Sequence, residues 1–356
     1  MIDARGARLR RLGRLTLGVL SLAGLLLAAA PGEAQAHTRR VPERYATIQA
    51  AVDAADAGDV IDVGPGRHCG ATIDRPVRLR GDGRAVIIGC AEGPVLSNGA
   101  RAGFRLPGAD GASAASGTQI EGFVFDGRGV SAANLEPLGV AIIATFANDV
   151  RVEHNRVLGT IQGITNTAGD RWVIVHNVIE DLGVFDCTGA LCGGGSGIVI
   201  QISQGQSGAP DSRPQRNVVA GNVVSGAIPD GFGAFSMVGV FVFAADGTVV
   251  THNRLSIPDN PTAASIGQGV LVDNSCCGQP PLTPGARNTV VTFNDGRASE
   301  IAVEIDGTGG ENTQGLVLYG NLGPVVVEGA LVDDGPRPHR GFVPGRRLVH
   351  RPLFRD

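Results

Sequence analysis

Along most of the chain, apolar residues alternate with polar ones in short runs, and no long helical period interrupts them. The run from Val152 to Val157 sets a template: an apolar residue, an Asn three places later, and a branched apolar residue two places after that. It returns as Ile174…Asn177…Ile179, Val219…Asn222…Val224 and Val250…Asn253…Leu255. Val291…Asn294 and Leu318…Asn321 keep the first two positions, but Gly296 and Gly323 take the third. Ile120 and Phe123 read as an earlier copy with Phe in the Asn column. Each copy from Asn155 onward follows a second short strand that opens on a small residue. These openings are Gly139-Val140, Gly163-Ile164, Gly197-Ile198, Gly239-Val240, Gly269-Val270 and Ala302-Val303.

Side chains of a strand point alternately to opposite faces, so each copy buries one residue in two. Copies 22 to 45 residues apart, with no helical pattern between them, predict an all-β parallel solenoid. One coil of three short strands cannot bury its inner face, whereas stacked coils bury a continuous apolar column. Asn suits the tight corners because it tolerates a left-handed backbone. Stacked about 4.8 Å apart, its amides also hydrogen-bond along the column. A β-sandwich is the competing architecture, and it gives no reason for Asn at a constant offset from each strand.

Ahead of the repeats, Tyr45 to Asp59 is Ala-rich, with Ile48, Ala51, Val52 and Ala55 on one helical face. Gly58 stops this helix, and Val60-Ile61-Asp62-Val63 follows as a strand. An open solenoid end exposes core and strand edges, so a short helix here reads as a cap. The run TIQAAVDAADAGDVIDVGPGRH, followed by VRLRGDGRAVIIG, resembles the opening of right-handed β-helix proteins of the pectate-lyase-like superfamily. The NVVAGNVV type of repeat is similar to the repeats of that superfamily. Over roughly residues 41 to 330 the resemblance implies a right-handed parallel β-helix with a short N-terminal capping helix. It implies no particular reaction. The RxPxxR segment of pectate lyases, the paired acids of methylesterases and polygalacturonases, and the DPHD segment of alginate epimerases are not visible.

The resemblance also implies a polysaccharide groove over the first strand of each coil. Aligning those strands on their opening small residue gives Ile143, Thr167, Gln201, Phe243, Asp273 and Asp306 at the fifth position. Two residues earlier stand Ala141, Thr165, Val199, Phe241, Leu271 and Glu304. Alternation puts both columns on the solvent face. Phe241, Phe243 and Gln201 are then expected to hold sugar, with Asp273, Asp306 and Glu304 as candidate catalytic acids. Like charges one coil apart raise one pKa, as an acid/base pair requires, and clustered carboxylates equally suit a Ca2+ bridge. The plain alternative is three solvated acids and two aromatics partly covered by loops. Insertions at 181–196, 203–217, 226–238, 256–268 and 275–288 flank the same strands and would wall a groove.

Composition narrows the chemistry. All 30 basic residues among the 356 are Arg, which excludes a lysine Schiff base, a P-loop and a lysine general base. With 34 acidic residues the net charge is −4, no footprint for nucleic acid. The 54 Gly and 20 Pro are too many for an ordinary helical domain, and 43% hydrophobic residues are too many for disorder.

Arg5, Arg8, Arg10, Arg11 and Arg14, an apolar run from Leu15 to Ala30, and Ala34-Gln35-Ala36 read as a signal peptide over 1–36. A secreted or periplasmic protein is expected, with no membrane span in its mature chain. Six Cys are then open to disulfides: Cys69 with Cys90 between layers, Cys187 with Cys192 around a short loop, and the adjacent Cys276-Cys277. His154, His176 and His252 each precede a ladder Asn and read as a packing column rather than a metal site. His37, at the expected cleavage point, offers an amine and an imidazole to copper without a partner His. Asp126 and Asp186 read as turn formers, and Gly193-Gly194-Gly195 as a loop.

Residues 37–330 are thus expected to form the β-helix. Residues 331–356, rich in Arg and Pro, are either a cap on the last coil or a basic segment that touches an acidic polysaccharide. Two functions fit. One is a lyase, hydrolase or epimerase acting on an acidic polysaccharide; the other is a non-catalytic extracellular β-helix that binds a glycan or a protein.

Overall fold

The computed structural model describes residues 36–131, 134–184, 195–203, 212–230, 236–263, 266–273, 286–306 and 315–328. Residues 1–35, read above as most of a signal peptide, the tail from residue 329, Asp186, Cys187, Cys192, Cys276, Cys277 and Gly193-Gly194 lie outside the described residues. Three parallel sheets, of ten, nine and seven strands, carry the architecture. In each coil the chain crosses the nine-stranded sheet, then the ten-stranded one, turns a corner and enters the seven-stranded one. Gln162–Thr167, Val173–Val175 and Val178–Leu182 make one such coil; Ser196–Gln201, Val218–Ala220 and Val223–Gly226 make the next.

The hydrophobic alternation accounts for the interior. Ile142, Ile164, Ile198, Val240, Val270 and Val303 stack on the inner side of the nine-stranded sheet. Val152, Ile174, Val219, Val250 and Val291 do so in the ten-stranded sheet, and Val157, Ile179, Val224 and Leu255 in the seven-stranded one. All belong to one buried cluster, and full burial of each such side chain is worth about 1.5–3 kcal/mol.

At the corner between the ten- and seven-stranded sheets, Asn155, Asn177, Asn222, Asn253, Asn294 and Asn321 line up coil on coil. Asn222 shows the pattern. Its Oδ1 accepts the backbone N–H of Asn177 at 2.9 Å and the Asn177 side-chain amide at 3.0 Å. Its Nδ2 donates to the carbonyls of Ile174 at 2.9 Å and Ala220 at 3.2 Å. Phe123 stands in the Asn column and starts the ladder by donating its N–H to Asn155 Oδ1 at 3.0 Å.

The left-handed backbone expected of the Asn belongs instead to the residue before it. Gly122, His154, His176, Gly221, His252, Phe293 and Gly320 have φ between +54° and +74°. The inverted residue turns the chain, which leaves the Asn amide aimed at the backbone groups that the corner would strand. His and Gly tolerate that conformation better than most residues. The rings of His154 and His176 stack with centroids 5.4 Å apart, and His252 stacks on Phe293 at 5.2 Å. Gly221 separates the two stacks, and a Cβ there would lie 2.8 Å from His176 Nδ1.

Helix Ile48–Asp53 begins at Thr47, whose hydroxyl accepts the N–H of Ala50 at 3.1 Å. Ile48, Ala51 and Val52 enter the same core cluster as the coils. The helix stops before Gly58, because the Ala55 N–H turns back to the Val52 carbonyl at 2.9 Å and tightens the last turn. A disulfide joins Cys69 to Cys90 on neighbouring coils. Towards the other end the seven-stranded sheet stops at Arg254–Ser256 while its companions run on. Gly296 and Gly323 stand where Leu255 would recur, and a Cβ on either would lie 2.6 or 2.7 Å from that of Ala302.

Candidate functional site

The nine-stranded sheet is built on a row of small residues. Gly103, Ala141, Gly163, Gly197, Gly239, Gly269 and Ala302 share one level of its register. A Cβ on Gly197 or Gly239 would lie 2.6 Å from the carbonyl oxygen of the next coil, and one on Gly269 would lie 2.5 Å from that of Ala302. Backbone approach, rather than turn geometry, therefore selects the small side chain.

This row corrects the expected alignment of its third strand. Ala141, not Gly139, occupies the level of Gly163, because Val140 pairs with Gln162 and Ile142 with Ile164. Ile143 consequently sits beside Thr165 and Thr145 beside Thr167, so Ile143 does not belong to the column of Gln201. From Gly163 onward the two columns stand as read. One runs Thr165, Val199, Phe241, Leu271, Glu304; the other runs Thr167, Gln201, Phe243, Asp273, Asp306. Phe243, Asp273 and Asp306 are thus neighbours on successive coils, while Leu271 separates Phe241 from Glu304.

Exposure differs from the expected open face. Gln201, Phe241 and Asp306 are half-buried, but Phe243 is only 1% exposed, Glu304 4% and Asp273 9%. Strand parity fixes the direction of a side chain and not what lies over it. Phe243 packs with Ile202 and Ala244 at the strand exits and stacks on Phe241, the rings 5.9 Å apart and 19° from parallel. Glu304 lies under the amide of Gln268, whose Nε2 hydrogen-bonds its Oε2 across one coil. Gln268 is buried as well, and its Oε1 finds no hydrogen-bond partner among the described residues. Sequence reading passed over Gln268. Its signal was the pair Gln-Gly-Ile at Gln162 and Gln-Gly-Val at Gln268, where Gln precedes the small-residue row in two coils. In the earlier copy Gln162 Oε1 accepts the Thr165 hydroxyl at 3.2 Å.

Two guanidinium groups stand at the strand exits beside this patch. Arg213 Nη1 donates to the carbonyl of Ala244 at 3.1 Å, one residue beyond Phe243. Burial first, and then the nearby Arg287, push the Arg213 pKa below its ordinary value, while Asp246 opposes them. The other flagged residues fall elsewhere. The His37 ring faces Asp59 at 3.6 Å, on the carboxylate that Arg39 also holds. Asp126 pairs with Arg128 at 2.9 Å, in keeping with a turn. Among the described residues one group of metal-ligating side chains converges, Cys69, Cys90 and Glu92, and both of its sulfurs are committed to the disulfide.

No family model matches this chain, and no curated protein does. Solved structures do. A surface adhesin of Streptococcus pneumoniae, PfbA, superposes with a TM-score of 0.50 at 13% identity, over 79% of this chain and 74% of the adhesin. The coils of this chain wind as theirs do. The chain is a right-handed parallel β-helix. That hand is the one parallel crossovers prefer. An alginate lyase from Paenibacillus is similar at TM-score 0.45 and 16% identity, over 83% of this chain and 99% of the lyase. A pectin methylesterase in complex with a hexasaccharide is similar at 0.45 and 14%, over 76% and 80%. None of these β-helix chains (identities under a fifth) transfers a residue role to this one. No helix among the described residues is long and apolar enough to cross a membrane.

Proposed function

We propose that this β-helix is exported and binds an acidic polysaccharide along the outer face of its nine-stranded sheet. The observation that carries the reading is the register that sets Gln201, Phe243, Asp273 and Asp306 in one row beside Phe241. In this reading Phe241 offers an aromatic face to a sugar ring, and Gln201 offers an amide to its hydroxyls. Arg213 and Arg287 supply the positive charge that a polyanion needs at the edge of a patch otherwise rich in carboxylates. A Ca2+ ion shared by Asp306 and a uronate would serve the same end. The helix at Ile48–Asp53 would close the first coil, and the leader before Ala36 would direct the chain to the periplasm or the exterior. The fold is shared by a lyase, an esterase and an adhesin, so it does not choose among activities.

Binding without turnover is favoured over lyase, hydrolase or epimerase chemistry by one feature. Glu304 and Asp273 are buried, and Glu304 is engaged by Gln268, whereas an acid/base pair has to reach substrate. The experiment is titration of polygalacturonate and alginate, with and without Ca2+, alongside the absorbance of unsaturated uronates. Saturable binding that Phe241→Ala weakens about tenfold, with no absorbance rise, is the expected result. Turnover abolished by Asp273→Asn and Asp306→Asn would instead establish the catalytic role of those acids. Absence of binding to any acidic polymer would end the proposal.

A further inference from the structure

The two ends of the column are unlike. At the first, Ile48, Ala51 and Val52 are fully buried. At the last, Val317 is 37% exposed, Tyr319 48%, Leu322 47% and Val325 41%, most of the large apolar side chains left open among the described residues. Phe293, one coil earlier, packs edge-on against Tyr319 at 5.2 Å and is itself exposed. Strands Val317–Tyr319 and Val325–Glu328 are the outermost members of their sheets among the described residues, and within those residues nothing pairs with their outer edges. Apolar side chains and unpaired parallel edges together form a surface that recruits another segment.

We propose that residues 329–356 of this same chain cover that end. Three observations choose this occupant. Glu328, the last described residue, lies on the edge strand itself, so a segment that follows it needs no linker to reach the surface to be covered. The 28 residues from Gly329 to Asp356 match one coil in length, since Asn294 and Asn321 are 27 apart. They also carry Leu331, Val332, Phe342, Val343, Leu348, Val349, Leu353 and Phe354 to set against the apolar end. The charge agrees. Six Arg against three Asp make the segment basic, and Asp306 is an acidic position on the coil next to that end.

The test is a chain ending at residue 328 compared with the full chain by amide exchange and sedimentation. Truncation is expected to speed exchange at 317–319 and 325–328 by about a hundredfold, and to drive self-association through the bared edges. A synthetic peptide of residues 329–356 added to the truncated protein restores slow exchange. The double variant Phe342→Asp, Leu348→Asp in the full chain reproduces the truncation, and intact exchange at Val152 and Ile174 reports that the coils remain folded. Identical exchange at 317–319 in the full and truncated chains, both monomeric, overturns the proposal. A full chain whose edge protection vanishes on dilution to the monomer also overturns it, because the end is then covered by a second copy.

Discussion

Two rows of side chains run along this β-helix, and they follow opposite logics. At the Asn corner one residue type repeats on successive coils, each amide pairing with the next. On the face of the nine-stranded sheet the row Thr167, Gln201, Phe243, Asp273, Asp306 holds four residue types over five coils. A repeated row satisfies its own hydrogen bonds, and its value lies in holding the coils in register. The varied row pairs coil to coil where the Gln201 amide donates to the Thr167 hydroxyl at 3.2 Å, and it continues into an aromatic ring and two carboxylates. An amide, a ring and carboxylates in one row suit a ligand more than a repeated register, which is why the functional reading rests there.

The comparison breaks most sharply at Asn222. Replacing it with Ala leaves the buried Asn177 N–H without its acceptor and removes donors to Ile174 and Ala220. A loss of about 3 kcal/mol or more is expected by urea unfolding. Asn321→Ala, at the half-buried end of the ladder, should cost only about 1 kcal/mol. Equal losses at both positions would mean that the ladder does not act through buried, mutually dependent bonds. Gly239→Ala comes next. Its Cβ meets the Gly269 carbonyl oxygen at 2.6 Å, so about 2 kcal/mol is expected, with the Asn ladder untouched.

Much of this was legible in sequence because each coil repeats the same physical problem. Val152, Ile174, Val219 and Val250 are forced inward by alternation, and an Asn at a fixed offset has few other uses. Phe123 was legible for the same reason, as the one odd member of a regular column. What escaped was whatever depends on neighbouring coils. The inverted backbone lies on His154 and His176 rather than on Asn, which only the direction of the amide decides. The pairing of Ile143 with Thr165, which puts it in another column, is a property of register, not of composition. Burial of Phe243 comes from Ile202 and Ala244, residues at the exits of two strands, and no single-strand pattern contains it. Gln268 was invisible as a partner of Glu304 because the two are 36 residues apart.

On the varied face, substitutions should separate binding from stability. Asp306→Asn is expected to change unfolding stability by no more than about 0.5 kcal/mol, as for most half-exposed positions. Its effect should appear in polysaccharide affinity, and chiefly in the Ca2+-dependent part if the ion is shared with a uronate. A destabilisation as large as that of Asn222→Ala, with affinity retained, would move Asp306 from the second class of row to the first.

The smallest effect expected separates the Asn ladder by pH from an ion pair at the same corner. The Asn amides carry no proton that acid can add, so the hydrogen bonds of the ladder itself keep their strength from neutrality down to pH 2. Asp295, directly after Asn294, is different. Hydrogen bonds from the Arg297 side chain lower its pKa from 3.8 to about 2, against a partial opposition from burial. A carboxylate whose folded pKa lies below its unfolded one contributes its full stability above the unfolded value. That contribution is lost as pH falls from about 4 through about 2, where the folded form also takes up the proton. The pair is solvent-screened, with Arg297 68% exposed, so the loss should be slight. Urea midpoints measured at pH 7, 4 and 2 should therefore fall slightly less for Asp295→Asn than for the parent, while Asn222→Ala shifts all three by the same large amount. A parallel acid slope in the parent and Asp295→Asn would show that this ion pair contributes nothing to folding.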